Sequence, residues 1–390
     1  MKPELVTIKL SEILFDEEIY PRGQHNPALA QQYRDTMEEI ETLSNFISLS
    51  FDNRILDGKH RWLGYRMLHE NNGDPSIQAY RDPVTEWKDS FYLANELNAT
   101  HGYQTSMADK ERNAKRYYHR GYNNYDQIAK SLHVGKPRIS SWLSRTVKEE
   151  RDQRKEKIRD LWFSCRTQEE IAEICGCTQK TVSEIIDDFI HLVLENQKYK
   201  ADTSHATDFE PPIYNIWKQQ DKSESVSHRG NSEVRWVDNL LYLYTQPFDV
   251  VIDPFAGGGS TVDICKKRFR RYWASDRKPI IERETDIRQW DITEGLPPLH
   301  RWQDVKLVYL DPPYWKQAEG FYSDDPTDLA NMTLEVFHKT LSNLIHGFAK
   351  KLSSDAVIAL LIQPTQWKAP DRAYTDHLTA LLRRIDLPVC

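Results

Sequence analysis

The 390-residue chain is 39% hydrophobic, 11% aromatic and 28% charged, with a mean hydropathy of −0.70 and a net charge of −7. That describes a folded, polar protein of two or three domains and excludes a single small module or a disordered chain. The longest apolar run is the seven residues Ala356 to Ile362, far below the roughly 20 needed to cross a bilayer, so no membrane partner is expected. Met1-Lys2-Pro3-Glu4 starts without the apolar stretch of a secretory signal. Cys165, Cys175, Cys177, Cys265 and Cys390 are odd in number and lack metal-ligand spacing, which points to a reducing cytoplasm and no metal.

Residues 1–104 read as a small α/β unit. Val6 to Leu10 and Phe46 to Phe51 alternate like strands, and Pro27 to Leu43 is predicted helical, with Asn26 as N-cap and proline at the first helical position. The run Arg54-Ile55-Leu56-Asp57-Gly58-Lys59-His60-Arg61-Trp62-Leu63-Gly64-Tyr65 resembles the D-G-x-x-R box of ParB-like domains, where a turn and the following helix N-terminus bind phosphate. The resemblance implies phosphate contacts from Gly58, Lys59, His60 and Arg61. His60 stands where nucleotide-hydrolysing ParB proteins carry arginine. The related sulfiredoxin box has cysteine in place of Lys59, and with no cysteine before Cys165 that redox chemistry is excluded.

Residues 105–200 show a 3.6-residue apolar period and almost no Gly or Pro, so this region is predicted all-helical. The chain's charge is unevenly spread: residues 105–159 hold 15 Lys and Arg against 7 Asp and Glu, a basic block inside an acidic protein. Tyr125 to Leu143 matches the helix-turn-helix pattern, with Ile128, Ala129 and Leu132 packing the first helix, Val134-Gly135 making the turn, and Ile139, Trp142 and Leu143 anchoring the second. Thr167 to Ile186 repeats that spacing. Glycine-turned helical hairpins are common, but two in tandem with a basic block point to double-stranded DNA as partner. Lys136, Arg138 and Ser140 of the first unit, and Gln179, Lys180 and Ser183 of the second, are the expected groove-facing residues. Cys175 and Cys177 fall at turn and packing positions.

Residues 201–232 are polar and broken by Pro211-Pro212, as in a linker. From residue 233 onward helical stretches alternate with the short apolar strands DVVIDPF, RRYWASD, KLVYLDPPY and AVIALLI, the pattern of a parallel sheet covered by helices. The first strand runs into Asp253-Pro254-Phe255-Ala256-Gly257-Gly258-Gly259-Ser260-Thr261. Glycines at a strand-to-helix turn let the backbone approach a ligand at the helix N-terminus. No lysine precedes Ser260-Thr261, which excludes a P-loop, and Val262 occupies the third glycine position of a dinucleotide fingerprint.

DPFAGGGST resembles the S-adenosylmethionine-binding motif of DNA amino-methyltransferases. The resemblance implies that Asp253, Pro254, Phe255, Gly257 and Gly259 hold the cofactor. It further implies that Asp276, ending the next strand, accepts both ribose hydroxyls and that Asp291 contacts the adenine. The strand Lys306 to Leu310 ends in Asp311-Pro312-Pro313-Tyr314. Taken alone this is a good strand terminator. It is also similar to the catalytic motif of enzymes that methylate adenine N6 or cytosine N4. An exocyclic amine is a poor nucleophile because its lone pair is delocalised into the ring. Two acceptors, the Asp311 carboxylate and the Pro312 carbonyl, can take its N–H bonds and draw nitrogen towards tetrahedral geometry, while Pro313 stiffens the loop. Tyr314 would stack on a base flipped from the duplex. No Pro-Cys pair occurs, which excludes the C5-cytosine chemistry.

PPIYNIW (211–217) and Arg235 to Leu241 resemble the family's segment flanking the cofactor upstream of the sheet. The Asp-Pro-Pro-Tyr element follows the glycine loop by about 55 residues with no recognition domain between. After AVIALLIQP and a helix predicted over Asp371 to Arg384, Ile385 to Cys390 stand where the family fold normally adds a β-hairpin, so the final hairpin is expected to be missing. The chain is therefore expected to be multidomain: an α/β ParB-like unit (1–104), an all-α helix-turn-helix region (105–200), a linker (201–232) and an α/β Rossmann-like methyltransferase domain (233–390). The expected activity is methyl transfer from S-adenosylmethionine to an exocyclic amine in DNA, adenine N6 before cytosine N4, in a bacterial or phage restriction-modification setting. A DNA-binding regulator or partition factor with a degenerate methylase domain is the alternative from another class. RNA or a glutamine amide as acceptor ranks below both.

Overall fold

The structure is a computed structural model that describes residues 3–23, 26–71, 73–82, 89–100, 105–198, 205, 208–213, 217, 233–363, 365–366, 374–375 and 377–388. Most of the expected linker, and residues 214–216 of the upstream flanking segment, lie outside the described residues. The chain divides into two compact units, residues 1–152 and 153–390.

The first unit carries a four-stranded sheet in the order β1-β4-β2-β3, formed by β1 (Glu4–Lys9), β2 (Ile47–Leu49), β3 (Ile55–Asp57) and β4 (Ser76–Arg81). Only the β2–β4 pair is parallel. The predicted helix after Asn26 forms, and the Asn26 side chain caps it by accepting from the Ala28 N–H at 3.0 Å. It does not run unbroken to Leu43: Thr36 (φ −116°, ψ 24°) separates α1 (Pro27–Asp35) from α2 (Met37–Thr42). The Thr36 hydroxyl turns back to the Gln32 carbonyl at 3.0 Å, an alternative to the helical ladder that short polar β-branched residues offer. Ala30, Met37 and Ile40 on these helices are buried, and α3 (Lys59–Leu68) packs closely on α1.

The helices α4 (Ser90–Thr100), α5 (Met107–His119) and α6 (Tyr125–Leu132) gather around Phe91, Tyr92, Tyr117, Ile128 and Leu132, together with Ile139 and Leu143 from the start of α7 (Lys136–Phe163). The left-handed residue of the α6–α7 turn is His133 (φ 48°), not Gly135. The second helix of this pair extends to 28 residues. Nothing between Arg138 and Phe163 is Gly or Pro, and the i,i+4 pair Arg145–Glu149 at 2.7 Å supports its exposed face. The division between the units falls inside α7.

In the second unit, β5 (Val250–Asp253), β6 (Arg271–Asp276), β7 (Ile287–Gln289), β8 (Val305–Leu310) and β9 (Val357–Leu360) form a fully parallel sheet in the order β7-β6-β5-β8-β9. Alternate residues feed two cores. Val251, Tyr272, Ala274, Leu307 and Tyr309 face one side, while Val250, Ile252, Trp273, Val308 and Leu310 face the other. The end of α7, α8 (Gln168–Cys175), α9 (Gln179–Lys198), α10 (Val234–Tyr244) and α11 (Ser260–Lys267) cover the first face. The second face packs against α12 (Leu334–Ala349) and, further along the chain, α13 (Leu378–Ile385). The second helical pair is thus part of the sheet-bearing unit: Ile171, Val182 and Ile186 are buried in its core. Its turn follows the expected pattern, with the Thr167 capping box opening α8 and Gly176 (φ 59°) closing it. Cys175 and Cys177 pack against the same core.

Two elements depart from expectation. The edge strand β7 has a polar sequence, Ile-Arg-Gln, without the apolar run that marks the other strands. The helix predicted from Asp371 begins only at Leu378. Tyr374–Thr375 instead forms β11, paired antiparallel with β10 (Thr365–Gln366), and residues 367–373 lie outside the described residues. Aromatic and β-branched residues favour the extended state, and the amphipathic spacing Leu378, Leu381, Leu382, Ile385 starts after them. Among the described residues, no helix is long and apolar enough to cross a membrane.

Candidate active site

In a parallel sheet of this order the two strands that run out in opposite directions from the centre, β5 and β8, leave a crevice beyond their carboxyl ends. A cavity of about 680 Å3 opens there. Pro254, Phe255 and Gly257 of the glycine loop line it on one side, and Asp311, Pro312, Pro313 and Tyr314 line it on the other. Asp276 at the end of β6 and Asp291 after β7 also line it. Residues nearly 60 positions apart are therefore brought to one pocket by adjacent strands.

The glycine loop is held from behind. Asp253 is buried, accepts from the Phe255 N–H at 3.0 Å and is bonded by the Thr261 hydroxyl. Burial pushes its carboxyl up to about 7, against the lowering effect of those two hydrogen bonds. Asp253 and Gly259 do not line the cavity: Asp253 ties the loop together, and Gly259 (φ 88°) is the N-cap of α11. A side chain at Gly259 would be strained, and its Cβ would sit 3.2 Å from the Arg283 guanidinium.

The two carboxylates at the far wall are oriented by backbone and side chain together. Asp276 accepts from Gly257 N–H at 3.0 Å and from Lys278 N–H at 2.9 Å. Asp291 accepts from the Thr293 N–H and hydroxyl, and its other oxygen faces Arg277 Nε at 3.1 Å. The same guanidinium reaches Asp325 at 3.1 Å and the Thr327 hydroxyl at 2.6 Å.

At the opposite wall the Tyr314 phenol donates to the Asp311 carboxylate, and burial followed by that neighbouring charge raises its pKa. Trp315 is buried and donates from Nε1 to the Met332 carbonyl at 2.9 Å, which anchors the end of the motif. Trp236, in the flanking segment named from the sequence, lines the cavity, as do Glu233 just before α10 and Gln363 beyond β9, which the sequence did not single out. The Trp236 indole N–H is buried without a hydrogen-bond partner among the described residues. Two carboxylates, Asp276 and Asp291, facing the glycine loop across one cavity fit a nucleoside cofactor with a charged tail.

The remaining predicted residues lie elsewhere. Lys136, Arg138 and Ser140 are exposed at the start of α7, with Lys136 Nζ 2.8 Å from Asp126. Gln179 and Lys180 are exposed and Ser183 half-buried on α9, where Gln179 bonds Glu169 at 3.0 Å and Ser183 bonds Asp187 at 3.2 Å. Gly58 (φ 94°) caps α3, but Lys59, His60 and Arg61 are only 8%, 4% and 8% exposed. Lys59 lies 3.7 Å over the Phe15 ring, His60 Nε2 accepts from the Asn26 N–H, and Arg61 pairs with Asp57 at 2.7 Å and with the Asn45 and Phe46 carbonyls. The charges of this box are engaged inside the first unit.

The family model for N6/N4-type DNA methylases matches residues 67–283. The chain belongs to the DNA methylase family. The match takes in the glycine loop and Asp276 of the methylase and stops before Asp291 and Asp311, so the Asp-Pro-Pro-Tyr wall is placed by the geometry of the cavity. No curated protein matches the chain.

Proposed function

We propose that this methylase transfers a methyl group from S-adenosylmethionine to an exocyclic amine of a flipped base in double-stranded DNA, adenine N6 in preference to cytosine N4. One observation carries the reading: Asp311, Pro312 and Tyr314 share a single cavity with the glycine loop, Asp276 and Asp291. S-adenosylmethionine supplies an electrophilic sulfonium methyl when bound. Gly257 and its neighbours Pro254 and Phe255 would receive its charged portion, Asp276 would take the ribose hydroxyls and Asp291 the adenine edge. Asp253 and Gly259 act indirectly, by fixing the loop.

On the other wall the Asp311 carboxylate and the Pro312 carbonyl accept the two N–H bonds of the target amine, and Tyr314 stacks on the base. The Tyr314 phenol, kept neutral, occupies one lone pair of Asp311 and aims the carboxylate. A volume of about 680 Å3 leaves room for a base, purine included, beside the nucleoside. The exposed Lys136, Arg138 and Ser140 supply phosphate and groove contacts, and Gln179, Lys180 and Ser183 supply a second set. An intact Asp-Pro-Pro-Tyr wall facing a formed cavity speaks for catalysis over the regulator reading.

The test is transfer of tritiated methyl from S-adenosylmethionine to duplex DNA by the purified chain and by Asp311→Ala. Incorporation by the first and loss of at least 100-fold in the second are expected. Cofactor binding without incorporation by the intact chain contradicts the proposal.

A further inference from the structure

We propose that Arg166 and Arg288 form a second binding site, for a dianionic phosphate group, on the edge of the parallel sheet. This site does not depend on the methyl-transfer reading. A cavity of about 420 Å3 lies against the edge strand β7, and both arginines line it. Ile287 and Gln289 of β7 contribute to its wall, and Pro279 and Ile281 come from the loop after β6. Ile281 is 77% exposed, so an apolar side chain stands in water beside the two cations. The place adjoins the cavity that holds Asp276 and Asp291. Residues 276–278 and 290–293 line that cavity, and the neighbouring positions 279, 281 and 287–289 line this one.

The two cations are short of counter-charge. Arg288 is half-buried, lies over the Trp273 ring at 5.4 Å and donates from Nη2 to the Ser164 carbonyl at 2.6 Å. Its other donors bond nothing among the described residues, and no carboxylate there pairs with it. Burial, and then the like charge of Arg166, lower its pKa. Arg166 is also half-buried. Its one ion-pair partner among the described residues, Glu170, stands off at 3.9 Å, and its Nε is buried without a hydrogen-bond partner. Glu284, an exposed side chain of the same cavity, pairs with neither arginine. Burying a guanidinium without a counter-charge is unfavourable, and two like charges sharing one cavity repel until an anion joins them. The planar fork of arginine presents parallel N–H donors that match phosphate oxygens. A phosphate monoester carries about −1.5 to −2 at neutral pH, enough for both guanidiniums, whereas each phosphodiester of DNA carries a single charge. Pro279 and Ile281 give the carbon side of an ester a surface to pack on.

The full chain is titrated by calorimetry, at constant ionic strength, with methyl phosphate and with dimethyl phosphate as its singly charged counterpart. Methyl phosphate is expected to saturate one site and to bind about tenfold or more tighter than dimethyl phosphate. Arg288→Gln is expected to abolish that binding. Arg166→Gln, at the less enclosed position, is expected to keep the thermal midpoint of the unaltered chain and to weaken methyl phosphate about tenfold, as loss of one charge-assisted hydrogen bond does. No saturable binding, equal affinity for the two esters, or an affinity unmoved by Arg166→Gln overturns the site. Weaker duplex binding by Arg166→Gln, in a chain that does not take up methyl phosphate, assigns the two arginines to the DNA backbone and overturns it as well.

Discussion

The Arg277 guanidinium lies 3.1 Å from the Asp291 carboxylate. Through its other nitrogen the same side chain reaches Asp325 and Thr327, so one residue joins the Asp291 wall of the cavity to the loop that follows the Asp-Pro-Pro-Tyr motif. Arg277→Ala frees Asp291 to turn and loosens that loop. Cofactor binding measured by calorimetry is expected to weaken about tenfold, the loss of one charge-assisted hydrogen bond. Unchanged affinity contradicts the positioning role.

Asp253 predicts a pH dependence of stability. Its carboxyl keeps a proton up to about pH 7 in the folded protein and loses it above about pH 4 in the unfolded chain. The unfolded state therefore releases the proton first as pH rises, and folding is progressively disfavoured between about pH 4 and 7, by on the order of 4 kcal/mol at the upper end. Asp253→Asn removes the titration while keeping an acceptor for the Phe255 N–H. Its thermal midpoint is expected to fall less than that of the unaltered chain between pH 5 and 7.5. Parallel curves contradict the assignment.

A buried ion pair holds α10 to the end of α11. Arg268 donates from Nε and Nη2 to the two oxygens of Asp238 at 2.8 and 2.6 Å, and His205 bonds the same carboxylate at 3.1 Å. Asp238→Ala removes two of the bonds to the buried guanidinium, while its bond to Asp208 at 2.6 Å remains. Removing one partner of such a pair costs about 3–5 kcal/mol, so the thermal midpoint of the second unit is expected to drop by about 10 °C. Arg145→Ala, which breaks the exposed pair with Glu149, is expected to leave it unchanged.

The basic start of α7 predicts a salt effect. Arg138→Ala is expected to weaken DNA binding across all sequences and to reduce the slope of log K against log salt by about 1, as loss of one phosphate contact does. A change confined to one target sequence assigns Arg138 to base readout instead.

Much of the site was legible because its chemistry sits in short local motifs at strand ends. Asp311, Pro312, Gly257 and Asp276 could be named from the residues themselves, and apolar runs marked four of the five parallel strands. What escaped depends on contacts distant in sequence. Arg277 is unremarkable until Asp291 and Asp325 surround it, and Gln363 carries no signal until the end of β9 brings it to the cavity. The edge strand β7 is held by pairing with β6 and carries no apolar pattern of its own. The inward turn of Lys59, His60 and Arg61 was equally hidden, because a charged box reads as surface until Phe15, Asn26 and Asp57 close over it.

The central claim is that Asp311 acts on an exocyclic amine of DNA. Mass spectrometry of nucleosides from the DNA of cells producing the chain, beside cells producing Asp311→Ala, tests it most directly. N6-methyladenine in the first and none above background in the second is the predicted result. Neither N6-methyladenine nor N4-methylcytosine in cells whose purified chain binds S-adenosylmethionine would contradict it.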